Sequence, residues 1–115
     1  MSGDYRSEFS LRELRELYGE DTEGVTEVME LFAEDAPPRL EQYTEAMERE
    51  EYETAVKAVH GLTNLLGAVR NHAGASVARE IEQNLRRGDL EEAHSARRRI
   101  AIEVETTLAR IAEAK

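Results

Sequence analysis

The chain of 115 residues has no cysteine, only two prolines and only 5% aromatic residues. The absence of cysteine excludes a disulfide framework and thiolate chemistry, and it fits a cytoplasmic protein. Runs of β-branched residues are also absent, so we expect no sheet. No apolar run approaches the roughly 20 residues that would span a bilayer, and the polar N-terminal segment is not a signal peptide. We therefore expect a cytoplasmic protein without a membrane partner.

Charge is abundant and unevenly distributed. Residues 1–56 carry 17 acidic and 5 basic side chains, a net of −12, whereas residues 57–115 carry 8 acidic and 10 basic ones, a net of +2. The total of −10 argues against non-specific binding of nucleic acid. A length of 115 residues with 40% hydrophobic and 35% charged side chains suits one helical domain whose helices each keep a charged outer face. The asymmetry indicates either solvated helix faces or a partner surface of mixed sign.

Apolar residues at three- to four-residue spacing predict five helices. A capping-box pattern from Ser10 to Glu13 opens a short one that ends before Gly19. The second begins near residue 21, and its apolar stripe stays in phase across Pro37 and Pro38, which predicts a kinked or re-started helix rather than a loop. The third covers about residues 51–70. Residues 1–8 are predicted to be a tail, and residues 9–115 a single domain.

The fourth helix is predicted over about residues 71–87, with Gly88 ending it. A second capping box from Asp89 to Glu92 opens a last helix that continues nearly to the C-terminus. Short connections between long helices imply antiparallel neighbours. The sequence thus predicts an all-α fold, an up-and-down four-helix bundle with an additional short N-terminal helix. We find no further apolar stripe that would argue for an oligomer, and we expect a monomer.

The third helix presents a histidine away from its apolar stripe. At about 100° per residue, the apolar stripe of this helix lies opposite His60 and consists of Ala55, Ala58, Leu62, Leu65 and Val69. Val59 and Leu66 lie on its flanks. Within about 60° of His60 lie Glu53, Val56, Lys57, Thr63, Asn64, Gly67 and Asn71. Gly61 lies beside this face, and glycine allows a partner to approach the backbone closely.

An exposed imidazole can transfer protons or act as a nucleophile. Proton-transfer catalysis needs a cleft and a second positioned group, which a convex helix face does not offer. Attack on a phosphoryl group carried by a partner needs an accessible ring nitrogen, little steric bulk and hydrogen-bond donors. Lys57, Thr63 and Asn64 can supply those donors. On spacing alone, a surface histidine without a role remains the alternative.

The sequence resembles the histidine-containing phosphotransfer (HPt) domains of phosphorelays over roughly residues 9–111. Their motif is H-x-L-K-G-S/A-x-x-x-L/I-G-A, followed by a helix that ends in a hydrophobic-Glu pair and R-x-G-D. His60 and Leu62 fall on the histidine and leucine of this motif, and Ile81-Glu82 falls on the hydrophobic-Glu pair. Arg86-Arg87-Gly88-Asp89 resembles the turn. The segment "ELFAEDAPPRLEQYTEAMEREEYETAVKAVHGL" is similar to the second helix of the family and its lead-in to the histidine.

The resemblance implies that His60 accepts a phosphoryl group from the aspartyl phosphate of a response-regulator receiver domain, or of a hybrid sensor kinase, and passes it to another receiver. It implies no cofactor on this chain, because the Mg²⁺ would belong to the receiver. Lys57, Thr63 and Asn64 would orient the phosphoryl group. The partner surface would consist of Glu53, Val56, Gly61, Gly67 and Asn71. The chain would be a phosphohistidine carrier without kinase or nucleotide-binding activity, since it has no glycine-rich phosphate loop.

The sequence departs from the family where the motif continues after the histidine. Thr63 and Asn64 stand where the family has lysine and glycine, and Arg70 stands where it has a later glycine. A neutral hydrogen bond is roughly half as strong as a charge-assisted one, so Lys57 is the candidate replacement for the missing cation. The departure keeps a second hypothesis open, an adaptor that binds receivers without phosphotransfer. A purely structural bundle leaves the polar face around His60 unexplained.

A second chemical pattern, Glu91-x-x-His94, is typical of di-metal sites in helix bundles. Such sites need two copies and two further glutamates, whereas this chain has one copy. We therefore interpret it as part of a solvated helix face and predict no metal site. His72, near the start of the fourth helix, is predicted to lie on the surface.

Overall fold

The computed structural model describes residues 4–115, in which all regular secondary structure is helical. The helices are α1 (Arg12–Tyr18), α2 (Thr22–Glu48), α3 (Tyr52–Ala68), α4 (His72–Arg87), α5 (Leu90–Ser95) and α6 (Arg97–Ala114). The long helices form a bundle in which α2 and α4 each pack against both α3 and α6, so α3 and α6 lie diagonally opposite. Helix α1 packs against α2. The predicted all-α bundle with a short additional N-terminal helix is confirmed.

The core is continuous through the bundle and receives apolar side chains from every long helix. Its largest fully buried side chains include Phe32 and Tyr43 from α2, Leu62 and Leu66 from α3, Ile81 from α4, and Ile100 and Ile111 from α6. Each such burial contributes about 1.5–3 kcal/mol relative to exposure. Since these residues are those of the predicted apolar stripes, the periodicity of each helix fixes which face turns outward. Within residues 4–115, no helix is both long enough and apolar enough to span a membrane.

Helix α2 continues through Pro37 and Pro38 without interruption. A proline inside a helix removes one backbone hydrogen bond and costs about 3 kcal/mol. Both prolines lie on the exposed side, whereas Phe32, Ala36 and Tyr43 of the same helix are buried. Burial of this stripe offsets the missing bonds. The prediction of a helix rather than a loop across the two prolines is confirmed, and its alternative of a re-started helix is wrong.

Neither predicted capping box forms its side-chain hydrogen bonds, although Asp89 stands at the predicted N-cap position of the helix after Gly88. Helix α1 begins after Leu11 without a side-chain cap, and the Glu13 carboxylate lies instead 3.0 Å from His72 Nε2 and 3.6 Å from Arg70 Nε. The hydrogen bond with His72 holds the pKa of Glu13 below its ordinary value. The carboxylate of Asp89 likewise makes no cap and pairs with Arg87. In both cases a nearby cation competes for the carboxylate that a cap would use.

The predicted last helix is interrupted at Ala96, which separates α5 from α6. Ala96 is buried at 1% exposure, so the interruption lies on the packed side of the bundle. The prediction of a single continuous helix is therefore wrong.

Asn71 and Glu103 form a buried polar junction at the turn between α3 and α4. The Asn71 side chain accepts a hydrogen bond from Gly74 N and donates to Glu103 Oε1 at 3.0 Å and to Thr107 Oγ1 at 3.1 Å. Asn71 is 2% exposed and Glu103 is 1% exposed. Because its side chain points into the bundle, the predicted role of Asn71 in partner binding is wrong. The residue instead caps α4 and ties it to α6.

The N-terminal segment completes the same junction. The hydroxyls of Tyr5 and Ser7 both donate to the Glu103 carboxylate, Ser7 at 2.7 Å. Burial and the bond to Glu103 raise the pKa of Tyr5 to about 12, so this phenol keeps its proton at neutral pH. Residues 1–3 of the predicted tail lie outside the described residues, whereas residues 4–8 include two anchors to α6.

Candidate functional site

The imidazole of His60 lies on the outer face of α3, with 56% of the side chain exposed. The apolar residues Val59 and Leu62 beside it are fully buried, so the helix is anchored while its histidine faces out. His60 Nδ1 lies 3.1 Å from Oε1 of Glu82 on the neighbouring helix α4. The ring is thus held from one side by a second helix.

Glu82 has only 13% of its side chain exposed, and its other oxygen accepts hydrogen bonds from Arg86 Nη2 at 2.8 Å and Nε at 3.1 Å. Burial acts to raise the pKa of Glu82, but the hydrogen bonds from Arg86 and His60 outweigh it and hold the pKa below its ordinary value. At neutral pH Glu82 is therefore a carboxylate. A carboxylate only accepts hydrogen bonds, so Nδ1 of His60 carries a proton and the lone pair of the neutral ring is on Nε2.

Two of the three predicted phosphoryl-orienting residues share the exposed face with His60. Lys57, one turn before the histidine, and Asn64, one turn after it, are both exposed. Thr63 differs, because it is 9% exposed and its hydroxyl donates to the carbonyl of Val59 at 3.1 Å. With its proton committed within the helix, Thr63 does not present a donor to a ligand, and its predicted orienting role is wrong.

The residues of the predicted partner surface also differ in their exposure. Glu53 is exposed, while Val56, Gly61 and Gly67 are half-buried. At Gly67 a Cβ atom would have no heavy atom within 4 Å outside its own helix backbone. Nothing inside the fold therefore requires glycine there, although glycine costs about 1 kcal/mol against alanine in a helix interior.

An open groove next to His60 was missed by the sequence reasoning. It lies between α3 and α4, and it is lined by Tyr52, Glu53, Val56, Lys57, Leu85 and Arg86. Val56 and Leu85 give the groove an apolar part that suits an apolar side chain of a partner. Its rim carries charges of both signs, Lys57 and Arg86 together with Glu53, so a partner with complementary charges of both signs fits it. Leu85 continues the three- to four-residue apolar spacing of α4 and is 7% exposed. Only the packing of α3 on α4 shows that it also lines a groove with Val56.

The remaining histidines have local partners. His72 is exposed and pairs with Glu13, as predicted for a surface residue. The ring of His94 lies 3.2 Å from the Tyr52 hydroxyl. Among residues 4–115, no group of three His, Cys, Asp or Glu side chains is placed to hold a metal ion.

A family model described as the Hpt domain matches residues 27–114 of this chain. This match covers α3, α4 and α6 and most of α2, and includes both His60 and Glu82. The chain therefore belongs to the Hpt domain family, whose general function is histidine phosphotransfer in phosphorelays and whose partners are response-regulator receiver domains. Comparisons with curated proteins and with solved structures gave no match.

Proposed function

We propose that His60 accepts a phosphoryl group from the aspartyl phosphate of a receiver domain and passes it to a second receiver. The observation that carries this proposal is the bond between His60 Nδ1 and Glu82. It fixes the proton on one ring nitrogen and leaves the other, Nε2, as the nucleophile on an exposed surface. A receiver acts in the cytoplasm, which is the location we propose.

In the transfer, the Nε2 lone pair forms a bond to phosphorus while the bond from phosphorus to the aspartyl oxygen breaks. The electron pair of the broken bond leaves with the aspartate as its carboxylate. Nδ1 keeps its proton, so the phosphorylated ring is cationic. Glu82 stabilises this cation because its carboxylate already accepts from Nδ1. The return reaction onto a second receiver reverses the same bonds.

The surroundings of His60 support docking of a folded partner rather than binding of a small molecule. The groove of Tyr52, Val56 and Leu85 offers apolar contact on one side of the ring, and Gly67 leaves bare backbone on the same face of α3. Lys57 and Asn64 are the proposed donors to the phosphoryl oxygens. The Mg²⁺ that the transfer requires belongs to the receiver in this proposal.

The test is transfer from phosphorylated receivers that are encoded near the gene for this chain. Each receiver is labelled with ³²P, mixed with the chain and assayed for label that is stable in base and labile in acid. We expect such label to appear on the chain and to move onto a second receiver. A receiver that binds with measurable affinity and transfers no label contradicts the proposal and favours the adaptor hypothesis, which the uncharged Thr63 motivates.

A further inference from the structure

The side chain of Arg39 lies directly against the backbone of the residue that follows the histidine. A Cβ atom at Gly61 would lie 2.7 Å from both Cδ and Nη1 of Arg39 and 2.9 Å from its Cζ. Contacts that short do not occur in folded proteins, so any side chain at position 61 would displace the arginine. The space that Gly61 leaves open is thus occupied by a cation of this chain, carried by α2.

Arg39 approaches from the side of His60 that Glu82 does not occupy. Gly61 lies about 100° around α3 from His60 and contacts Arg39 of α2, whereas Glu82 comes from α4. An acid from α4 thus bonds the His60 ring at Nδ1, and a guanidinium from α2 lies against the backbone of the next residue, Gly61. Because Glu82 is bonded to Nδ1, a phosphoryl group on Nε2 needs its donors from elsewhere, and Arg39 is the cation that α2 brings to this end of the face.

Arg39 is exposed, and within residues 4–115 it makes no hydrogen bond or ion pair. Asp35, one turn earlier on α2, shares a shallow depression with it but does not pair with it. A guanidinium presents five N–H donors in a planar fork that matches phosphoryl oxygens. Thr63 is uncharged, and its hydroxyl donates to the carbonyl of Val59. Arg39 would supply the charge that Thr63 lacks.

We propose that Arg39 is a phosphoryl-orienting residue, seated on Gly61 and donating to the oxygens of the group on His60 Nε2. The inference rests on the proposed function of His60. Arg39 lies on a different helix from the histidine, so its action depends on the packing of α2 against α3. Gly61 then acts through Arg39, because its missing side chain lets the guanidinium lie against the backbone of the residue that follows His60.

The test compares initial rates of phosphorylation for four variants, with phosphoramidate as a donor that needs no receiver and with a phosphorylated receiver at saturating concentration. Arg39→Ala is expected to slow both reactions about tenfold, the effect of one charge-assisted hydrogen bond. Arg39→Lys is expected to recover part of the rate. Gly61→Ala is expected to be slow alone and to add little to Arg39→Ala in the double variant, because both changes remove the same contact.

A matched control isolates the effect. Arg98→Ala removes one exposed arginine from α6, which lies diagonally across the bundle from α3, and we expect its phosphoramidate rate to stay within about twofold of wild type. Rates of Arg39→Ala within twofold of wild type would overturn the role of Arg39 alone. A wild-type chain labelled by phosphoramidate but by no receiver would overturn the receiver proposal while leaving the Arg39 comparison intact.

Discussion

His60→Gln is expected to abolish phosphorylation of the chain by any receiver, lowering the rate by at least about a thousandfold, as removal of a nucleophile does in enzymes. Glutamine keeps a polar side chain of similar length but has no nucleophilic nitrogen. The fold should be unaffected, because 56% of the His60 side chain is exposed and the residue is not part of the core. The measurement is acid-labile label per mole of chain, together with the helical circular dichroism signal.

Matched variants at the other two histidines make this result specific. His72→Gln and His94→Gln remove imidazoles that pair with Glu13 and Tyr52, and both are expected to accept label at the wild-type rate. Label that persists in His60→Gln, or that disappears in His72→Gln while the fold is intact, would place the phosphorylated residue elsewhere.

Asn71→Ala is expected to lower the free energy of unfolding by about 2–4 kcal/mol. The loss of an N-cap side chain costs about 1 kcal/mol. The remainder arises because the substitution leaves the buried Glu103 carboxylate without one of its donors, and a buried polar group that loses its partner costs about 1–3 kcal/mol. Chemical denaturation at neutral pH, with the slope compared between variants, measures the effect.

Asn64→Ala is the control for this prediction. It truncates an exposed asparagine, and the sequence predicted both asparagines on the face of His60. Its effect should stay within about 0.5 kcal/mol of zero. If Asn71→Ala were equally mild, the junction of Asn71 with Glu103 and Thr107 would not be a source of stability, and the account of how α4 is tied to α6 would fail.

The two asparagines show which positions the sequence could predict and which it could not. A helical wheel places residues correctly only while the backbone is helical, and α3 ends at Ala68. Asn64 lies inside the helix and is exposed as predicted. Asn71 follows Arg70, whose φ of 66° turns the chain out of the helix, so its angle on the wheel has no meaning. The family's glycine at position 70 matches this left-handed conformation, which glycine adopts readily.

Other features depend on how the helices pack against each other, and the periodicity of a single helix does not predict that packing. The exposed face of α3 and the outward His60 followed from the apolar stripe. The contacts of Glu82 and Arg39 with that face did not, because they require the spacing and register of α4 and α2 against α3. Thr63 lies at the edge of the polar sector, where the neighbouring helices decide between exposure and burial, and here it is buried.

The central claim is that Glu82 directs the phosphoryl group to one nitrogen of one histidine. The most direct measurement is ¹⁵N NMR of the histidine-labelled chain before and after phosphorylation by a receiver. We predict that His60 carries its proton on Nδ1 before the reaction and phosphorus on Nε2 after it, while the rings of His72 and His94 keep their signals. Phosphorus on Nδ1 of His60, or on another histidine, would contradict it.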